Sequence, residues 1–300
     1  MSQQAPHPQG AAADYLARAQ RRIAVEAARV LFRRRLAVRT ALPLVSFTFD
    51  DFPRSAFLEA GSILMRYGVL GTYYVSLSLM GKQSHLGPMF QEEDLKELTG
   101  LGHELGCHTF GHCHSWNTPR DVYERAILEN QKALSELLPG ASFQTFAYPI
   151  SGPRLAVKKV AGRHFLCCRG GGLKVGRYLR RHAAGGQTFN SGITDLDYLC
   201  AFFLEKSRGN PEAVESLIGQ NARARGWLIF ATHDVCESPS PYGCTSDFFE
   251  QVVRWAVDSG ACILPVAGAL ETLLVSSRAS AAETAAKAHE VVNTTANVIE

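Results

Sequence analysis

From Leu44 to Val266 one pattern recurs, a short apolar run followed by a segment with helical spacing. The strand candidates are Leu44–Phe49, Gly71–Ser76, Glu104–Cys107, Phe143–Tyr148, His164–Cys168, Trp227–Thr232 and Ala261–Val266. Helical patterns occupy Ser55–Tyr67, Gln91–Leu101, Pro119–Leu138, Pro211–Arg225 and Ser246–Ser259, the third opening on a proline suited to a first turn. The apolar runs do not alternate cleanly, as is usual for strands buried on both faces of a parallel sheet. Seven such strands joined by helical crossovers predict an α/β fold, a barrel or a doubly wound sheet. A length of 300 residues suits one such unit.

The two ends read differently. Residues 1–40 hold eight arginines against Asp14 and Glu26, a net of +6 within a whole-chain charge of +3, so the body carries −3. A mildly acidic body gives no footing to nucleic acid. Tyr15–Arg39 has the spacing of a basic amphipathic helix, with Leu16, Ile23, Ala27, Val30 and Leu31 near one face. Such a helix packs on its own domain or makes peripheral contact with an anionic membrane. Arginines interrupt its apolar runs, which disfavours a secretory signal, although the composition also resembles a transit peptide. No window reaches the ~18 apolar residues of a membrane span. Ser276–Glu300, rich in Ala, Ser, Thr and Glu, reads as a helical or disordered tail. The expected organisation is therefore a basic helix over 1–40, a barrel domain over 41–275 and a tail over 276–300. Gly170–Leu199 is Gly-rich, basic and long for a structureless loop, which points to a functional segment. The eight cysteines include no C-x-x-C pair, which favours free thiols and a cytoplasmic location. Adjacent Cys167 and Cys168 sit in an apolar run and read as buried small hydrophobes.

Three clusters could carry chemistry. Asp50 and Asp51 directly follow the first apolar run and precede Phe52-Pro53. Barrel enzymes keep their catalytic groups at such strand ends, although an Asp pair before Pro also makes an ordinary turn. The second cluster runs from Gly102 to His114. His108 and His112 are four apart, so on a helical turn they share a face and suit one metal ion. His103 and His114 read as ordinary core or surface residues. In the third, the apolar run Trp227–Thr232 ends in His233-Asp234. Between them, Phe146-Ala147-Tyr148-Pro149-Ile150 runs into a turn whose backbone N–H groups could meet an oxyanion. One Asp and two His form a three-ligand set with an open position, the pattern of catalytic rather than structural zinc. The second Asp and a distant His are then free to act as base and acid.

The succession Thr48-Phe49-Asp50-Asp51, Gly102-His103-Glu104-Leu105-Gly106, His108-Thr109-Phe110-Gly111-His112, Phe146-Ala147-Tyr148-Pro149 and Leu228-Ile229-Phe230-Ala231-Thr232-His233 resembles the polysaccharide deacetylases. That family includes the nodulation chitooligosaccharide deacetylases and carbohydrate esterase family four. The resemblance spans about Leu44 to Leu270 and includes Gly71-Thr72-Tyr73-Tyr74-Val75. It implies a distorted (β/α) barrel of about seven parallel strands, with the basic helix and the tail as additions. It also implies a divalent metal, zinc first, on Asp51, His108 and His112. Asp50 would take a proton from water, the backbone N–H of Ile150 would meet the oxyanion, and His233 would protonate the leaving amine. The expected substrate is an N-acyl amide, N-acetyl on an amino sugar foremost, or a small acylated metabolite. Deformylation or another C–N hydrolysis is the alternative, and a non-catalytic carbohydrate- or lipid-binding protein the rival.

Three features depart from the family pattern. Phe52 stands where the family commonly has Gly and would narrow the site, beside a groove that includes Tyr148, Pro149 and Ile150. The arginine that usually orients the catalytic Asp is missing ahead of Pro149, and Arg169 is the candidate replacement. The acid orienting His233 would be Asp195 or Asp197.

Overall fold

The computed structural model describes residues 23–24, 27–28, 30–150, 152–171, 188–207 and 210–278. Seven strands form a curled parallel sheet in the order β10 (Phe202–Phe203), β11 (Trp227–Thr232), β2 (Leu44–Asp50), β3 (Thr72–Val75), β6 (Glu104–Cys107), β7 (Thr145–Ala147) and β8 (Cys167–Arg169). All seven residues of β2 are buried, Ser46, Thr48 and Asp50 among them, as befits a strand covered on both faces. Strand β12 (Cys262–Ile263) pairs with Leu44 and Val45, below the point where β3 takes Thr48 to Asp50. Strands and helices alternate, so the sheet is wrapped into an open barrel.

All seven expected strands are present and parallel, with β8 starting three residues later and ending one residue later than its apolar run suggested. The helices after β2, β3, β6, β10 and β11 fall where the spacing placed them. The first covers Ala56–Gly61 as a π-helix and continues as an α-helix over Ser62–Arg66. Two further helices carry no clear signal in the sequence, Leu155–His164 and one over residues 266–278. Asn210 and Thr245 cap the helices Pro211–Ala224 and Ser246–Asp258 through their side-chain oxygens.

The chain also closes part of the gap between the sheet's ends. Leu199 bridges to Arg169, and three residues later β10 pairs with Phe230 and Ala231. One short segment thus reaches from β8 to β11. It brings the half-buried Phe203 between their C-terminal ends.

The N-terminal reading needs correction. Arg35–Val38 is not the end of a helix but β1, antiparallel to β9 (Gly192–Asp195). Arg34 binds Asp197 at 2.6 Å, and Lys158, fully buried, binds Asp195 at 2.5 Å and the carbonyls of Ala28 and Leu31. These ties dock the arm on the barrel, so a boundary at residue 40 cuts through the fold. Residues 276–278 likewise continue a helix. Residues 1–22 of the basic leader, 172–187 of the Gly-rich segment and 279–300 of the tail lie outside the described residues. Among the described residues no helix is long and apolar enough to cross a membrane.

Glu104 fastens the barrel at the start of β6. Its carboxylate accepts from Thr72 Oγ1 at 2.8 Å, Thr145 Oγ1 at 2.5 Å and the Ala267 N–H at 2.9 Å, joining β3, β7 and the last helix. Glu104→Ala removes all three bonds and leaves their donors without this acceptor. The expected cost is about 3 kcal/mol, or a Tm roughly 6–12 °C lower, readable by thermal unfolding.

Candidate active site

The C-terminal ends of the parallel strands converge on one rim, where barrel folds assemble catalytic groups. β2 delivers Asp50 and the turn after it Asp51; β6 leads into His108; β8 ends at Arg169; β11 leads into His233. The loop from Thr109 to Cys113 brings back His112. His108 and His112 do not share a helical turn, contrary to the spacing argument. Thr109 (φ 62°) and His112 (φ 52°) are left-handed, and this bend turns the two rings toward one another with centroids 5.1 Å apart. Asp51 (φ 63°), Phe52 (φ 58°) and Ile150 (φ 65°) share this backbone state. Five non-glycine residues in a costly conformation around one rim mark a functional site rather than a scaffold. The π-helical start of the helix that follows Asp51 fits the same view.

Asp51, His108 and His112 offer ligand atoms within 4.8 Å of one another. His112 Nε2 lies 3.1 Å and His108 Nε2 3.5 Å from Asp51 Oδ1. His108 Nδ1 is 2.8 Å from the Ala147 carbonyl, which only accepts. The proton therefore sits on Nδ1, and the Nε2 lone pair faces Asp51. Burial pushes the His108 imidazole down to about 3 and lowers His112 as well. Burial also raises Asp51 to about 6, with Asp50 adding to the rise and His233 opposing it. Asp51 Oδ1 is buried and accepts no hydrogen bond. An orphaned carboxylate oxygen facing the lone pair of a neutral imidazole is a repulsive arrangement unless a cation lies among them. Two imidazoles and one carboxylate therefore fit a divalent ion, zinc or a neighbour in the first transition row.

Asp50 is in a different state. Burial alone would raise its pKa, but the Arg169 guanidinium, with His108 and His233, more than offsets this and holds it below the usual carboxylate range. Arg169 Nη2 donates to Asp50 Oδ1, and its Nη1 donates to the Gly170 carbonyl at 3.2 Å. The guanidinium carbon lies 4.9 Å from the ring centre of Tyr74 and 5.6 Å from that of Phe203. Both partners of the Asp50–Arg169 pair are buried. The structure thus places Arg169 where the sequence departure called for an arginine.

Other expectations on this rim need correction. Phe52 does not narrow the groove: its side chain is fully buried, stacked on Phe90 at 4.9 Å and packed against Tyr73. The left-handed backbone at Phe52 is what turns the ring inward. Tyr148 is buried too, and its hydroxyl donates to the Asp197 carbonyl at 3.0 Å, away from the rim. Pro149 is also buried, whereas Ile150 stands out at 63% exposure. Neither Asp195 nor Asp197 orients His233, because Lys158 and Arg34 hold them at the N-terminal arm. His233 Nδ1 instead meets the Tyr242 carbonyl at 3.2 Å. Asp234 organises that loop by accepting from the Ser240 N–H and Oγ, both at 2.6 Å. His103 is a core residue, its Nδ1 accepting from the Gly71 N–H at 2.9 Å.

The sequence reading missed His85 and Tyr242. His85 sits in the turn between β4 (Gln83–Ser84) and β5 (Gly87–Pro88), and its charge reaches both Asp51 and His112. Tyr242 packs against both His85 and His233, with ring centroids at 5.6 and 5.8 Å. Neither residue lies on a periodic element, so only the Gly-Pro turn chemistry near them was visible.

Comparison with known proteins agrees with this geometry. Residues 37–164 match the family model described as polysaccharide deacetylase. Among solved structures, the T48 deacetylase with substrate aligns at a TM-score of 0.50 and 16% identity, over 78% of this chain and 92% of that one. A mutant of the peptidoglycan deacetylase PdaC from Bacillus subtilis aligns at 0.50 and 15%, over 82% of this chain and 98% of that one. A mutant of a CE4 family pseudoenzyme with restored enzymatic activity aligns at 0.51 and 12%, over 77% of this chain and 69% of that one. At these identities the likeness is one of fold. A search of curated protein sequences finds no match. The family match covers Asp50, Asp51, His108 and His112, so over residues 37–164 this chain is similar to the polysaccharide deacetylases.

Proposed function

We propose that this protein is a metal-dependent hydrolase that removes an N-acyl group, foremost N-acetyl, from an amino sugar or oligosaccharide. The observation that carries the reading is the pairing of two buried carboxylates in opposite states. Asp51 is an orphaned anion facing two imidazoles, whereas Asp50 beside it is neutralised by Arg169. One is suited to hold a cation and the other, kept ionised, to take a proton from water.

A divalent ion on Asp51, His108 and His112 would polarise the acyl carbonyl and acidify the attacking water. Asp50 accepts the water's proton, kept ionised and oriented by Arg169. We assign the oxyanion contact to the Ile150 N–H, at the exposed turn after Pro149. His233 holds the Tyr242 carbonyl with Nδ1 and keeps Nε2 for the departing nitrogen, which must leave as an amine. The substrate class follows from the family and from the open, partly aromatic rim. The cytoplasm is the location we propose, favoured by eight cysteines that include no C-x-x-C pair. Exposed Val30, Leu31 and Phe32 with Arg35 and Arg39 favour peripheral contact with an anionic membrane.

Acetate release from the N-acetylglucosamine pentamer, with zinc-loaded and chelator-treated protein, tests the function. Release only with metal is expected; release by metal-free protein, or none by either, overturns it. Zinc affinity should also depend on pH. With Asp51 near 6, protons do not compete above that pH. Below it, affinity should fall about tenfold per pH unit, measured by competition with a chromophoric chelator.

A further inference from the structure

The rim carries one imidazole that the proposed chemistry does not use. His85 lies at the tip of the β4–β5 ribbon, whose register pairs Gln83 with Pro88 and Ser84 with Gly87. Leu86, the other turn residue, is buried and pins the tip, while His85 stays exposed. The ribbon is not a free loop. Phe90 donates to the Phe52 carbonyl at 3.3 Å, Gly81 donates to the Phe90 carbonyl at 2.9 Å, and Pro53 bridges to Met89. These bonds fasten it to the residues that follow Asp51, so its tip is positioned relative to the metal ligands.

His85 makes no hydrogen bond with the described residues; its ring contact is the edge of Tyr242. It is close enough for its charge to act on Asp51 and His112. Tyr242 packs against both His85 and His233, so His85 shares an aromatic neighbour on the rim with the group assigned to the leaving amine. An exposed imidazole on an anchored ribbon, with no hydrogen bond to the described residues and an aromatic neighbour shared with His233, is suited to bind ligand rather than to support the fold.

We propose that His85 is a substrate-binding and specificity-setting residue, its imidazole hydrogen-bonding an oxygen of the sugar unit that flanks the one undergoing deacylation. The proposal rests on the hydrolase reading above. It makes the site prefer oligomers over single sugars, and it gives the ribbon a function that its sequence does not announce.

The test uses the zinc-loaded full chain and the N-acetylglucosamine pentamer. His85→Ala should raise KM about tenfold, the equivalent of one lost hydrogen bond, with the loss falling on KM rather than kcat. His85→Gln, which keeps a donor, should recover part of it. An unchanged KM, a loss confined to kcat, or weakened zinc binding in His85→Ala overturns the proposal while leaving the hydrolase reading intact. No acetate release by the zinc-loaded wild-type chain removes that reading, and the proposal with it.

Discussion

Asp50→Asn is expected to lower kcat on an acetylated oligosaccharide by about a hundredfold to ten-thousandfold, the range for a lost general base. The amide keeps the shape of the carboxylate but cannot take a proton from water. Zinc affinity should stay within a few-fold of wild type, because the ligand atoms belong to Asp51, His108 and His112. Stability should fall as well. The substitution leaves the Arg169 guanidinium buried without its counter-charge, a situation that typically costs about 3–5 kcal/mol. Rates must therefore be taken well below the midpoint of unfolding, with zinc content measured on the same sample. A variant that binds zinc, stays folded and keeps more than a tenth of wild-type kcat would remove Asp50 from the role of base.

Arg169→Met is expected to have the next largest effect, and its signature is a shift in pH dependence. Burial raises the pKa of Asp50, and Arg169 is the main group that offsets this. Without the guanidinium, burial dominates and the pKa rises. A base works only when deprotonated, so activity is lost as pH falls through that pKa. The acid limb of the pH–rate profile should therefore move to higher pH, with activity partly recovered on the alkaline side. A purely structural role for Arg169 would lower rates at every pH without moving the limb. An unshifted limb, in a variant that still binds zinc, would contradict the assignment of Arg169 as the residue that positions and ionises Asp50.

Much of the fold was legible because buried parallel strands leave short, largely apolar runs. β2, β6 and β11 have almost the expected bounds. What was not legible depends on partners remote in sequence. β1 exists because β9 offers it an edge and because Asp195 and Asp197 take cations from the arm. β10 is two residues long and carries no period of its own. The site divides in the same way. Asp50, Asp51, His108 and His233 end or directly follow strands, so strand ends located them, whereas His112 was found by its spacing from His108. Arg169 was reachable through the family resemblance, which expects an arginine ahead of Pro149 and finds one instead at the end of the next strand. The carbonyl that meets His233 was not reachable. It belongs to a loop shaped by Asp234 and Ser240, and nothing in those residue types points to Tyr242. Phe52 was misplaced for a related reason. Apolar character does not say which way a ring turns, and the left-handed backbone decided it.

That inward turn of Phe52 couples two properties often separable in enzymes. Its ring is clasped by Phe90 and Tyr73, and truncating a buried phenylalanine typically costs about 3–5 kcal/mol. The turn that presents Asp51 is therefore stitched into the main cooperative folding unit instead of opening as a local, low-stability segment. Loss of metal binding on heating should coincide with global melting, and mutations loosening this aromatic cluster would act on ligand affinity from beneath. Evolution of this site is then constrained from inside: the identity of residue 52 cannot drift toward the smaller side chain common in the family without repacking Phe90 and Tyr73.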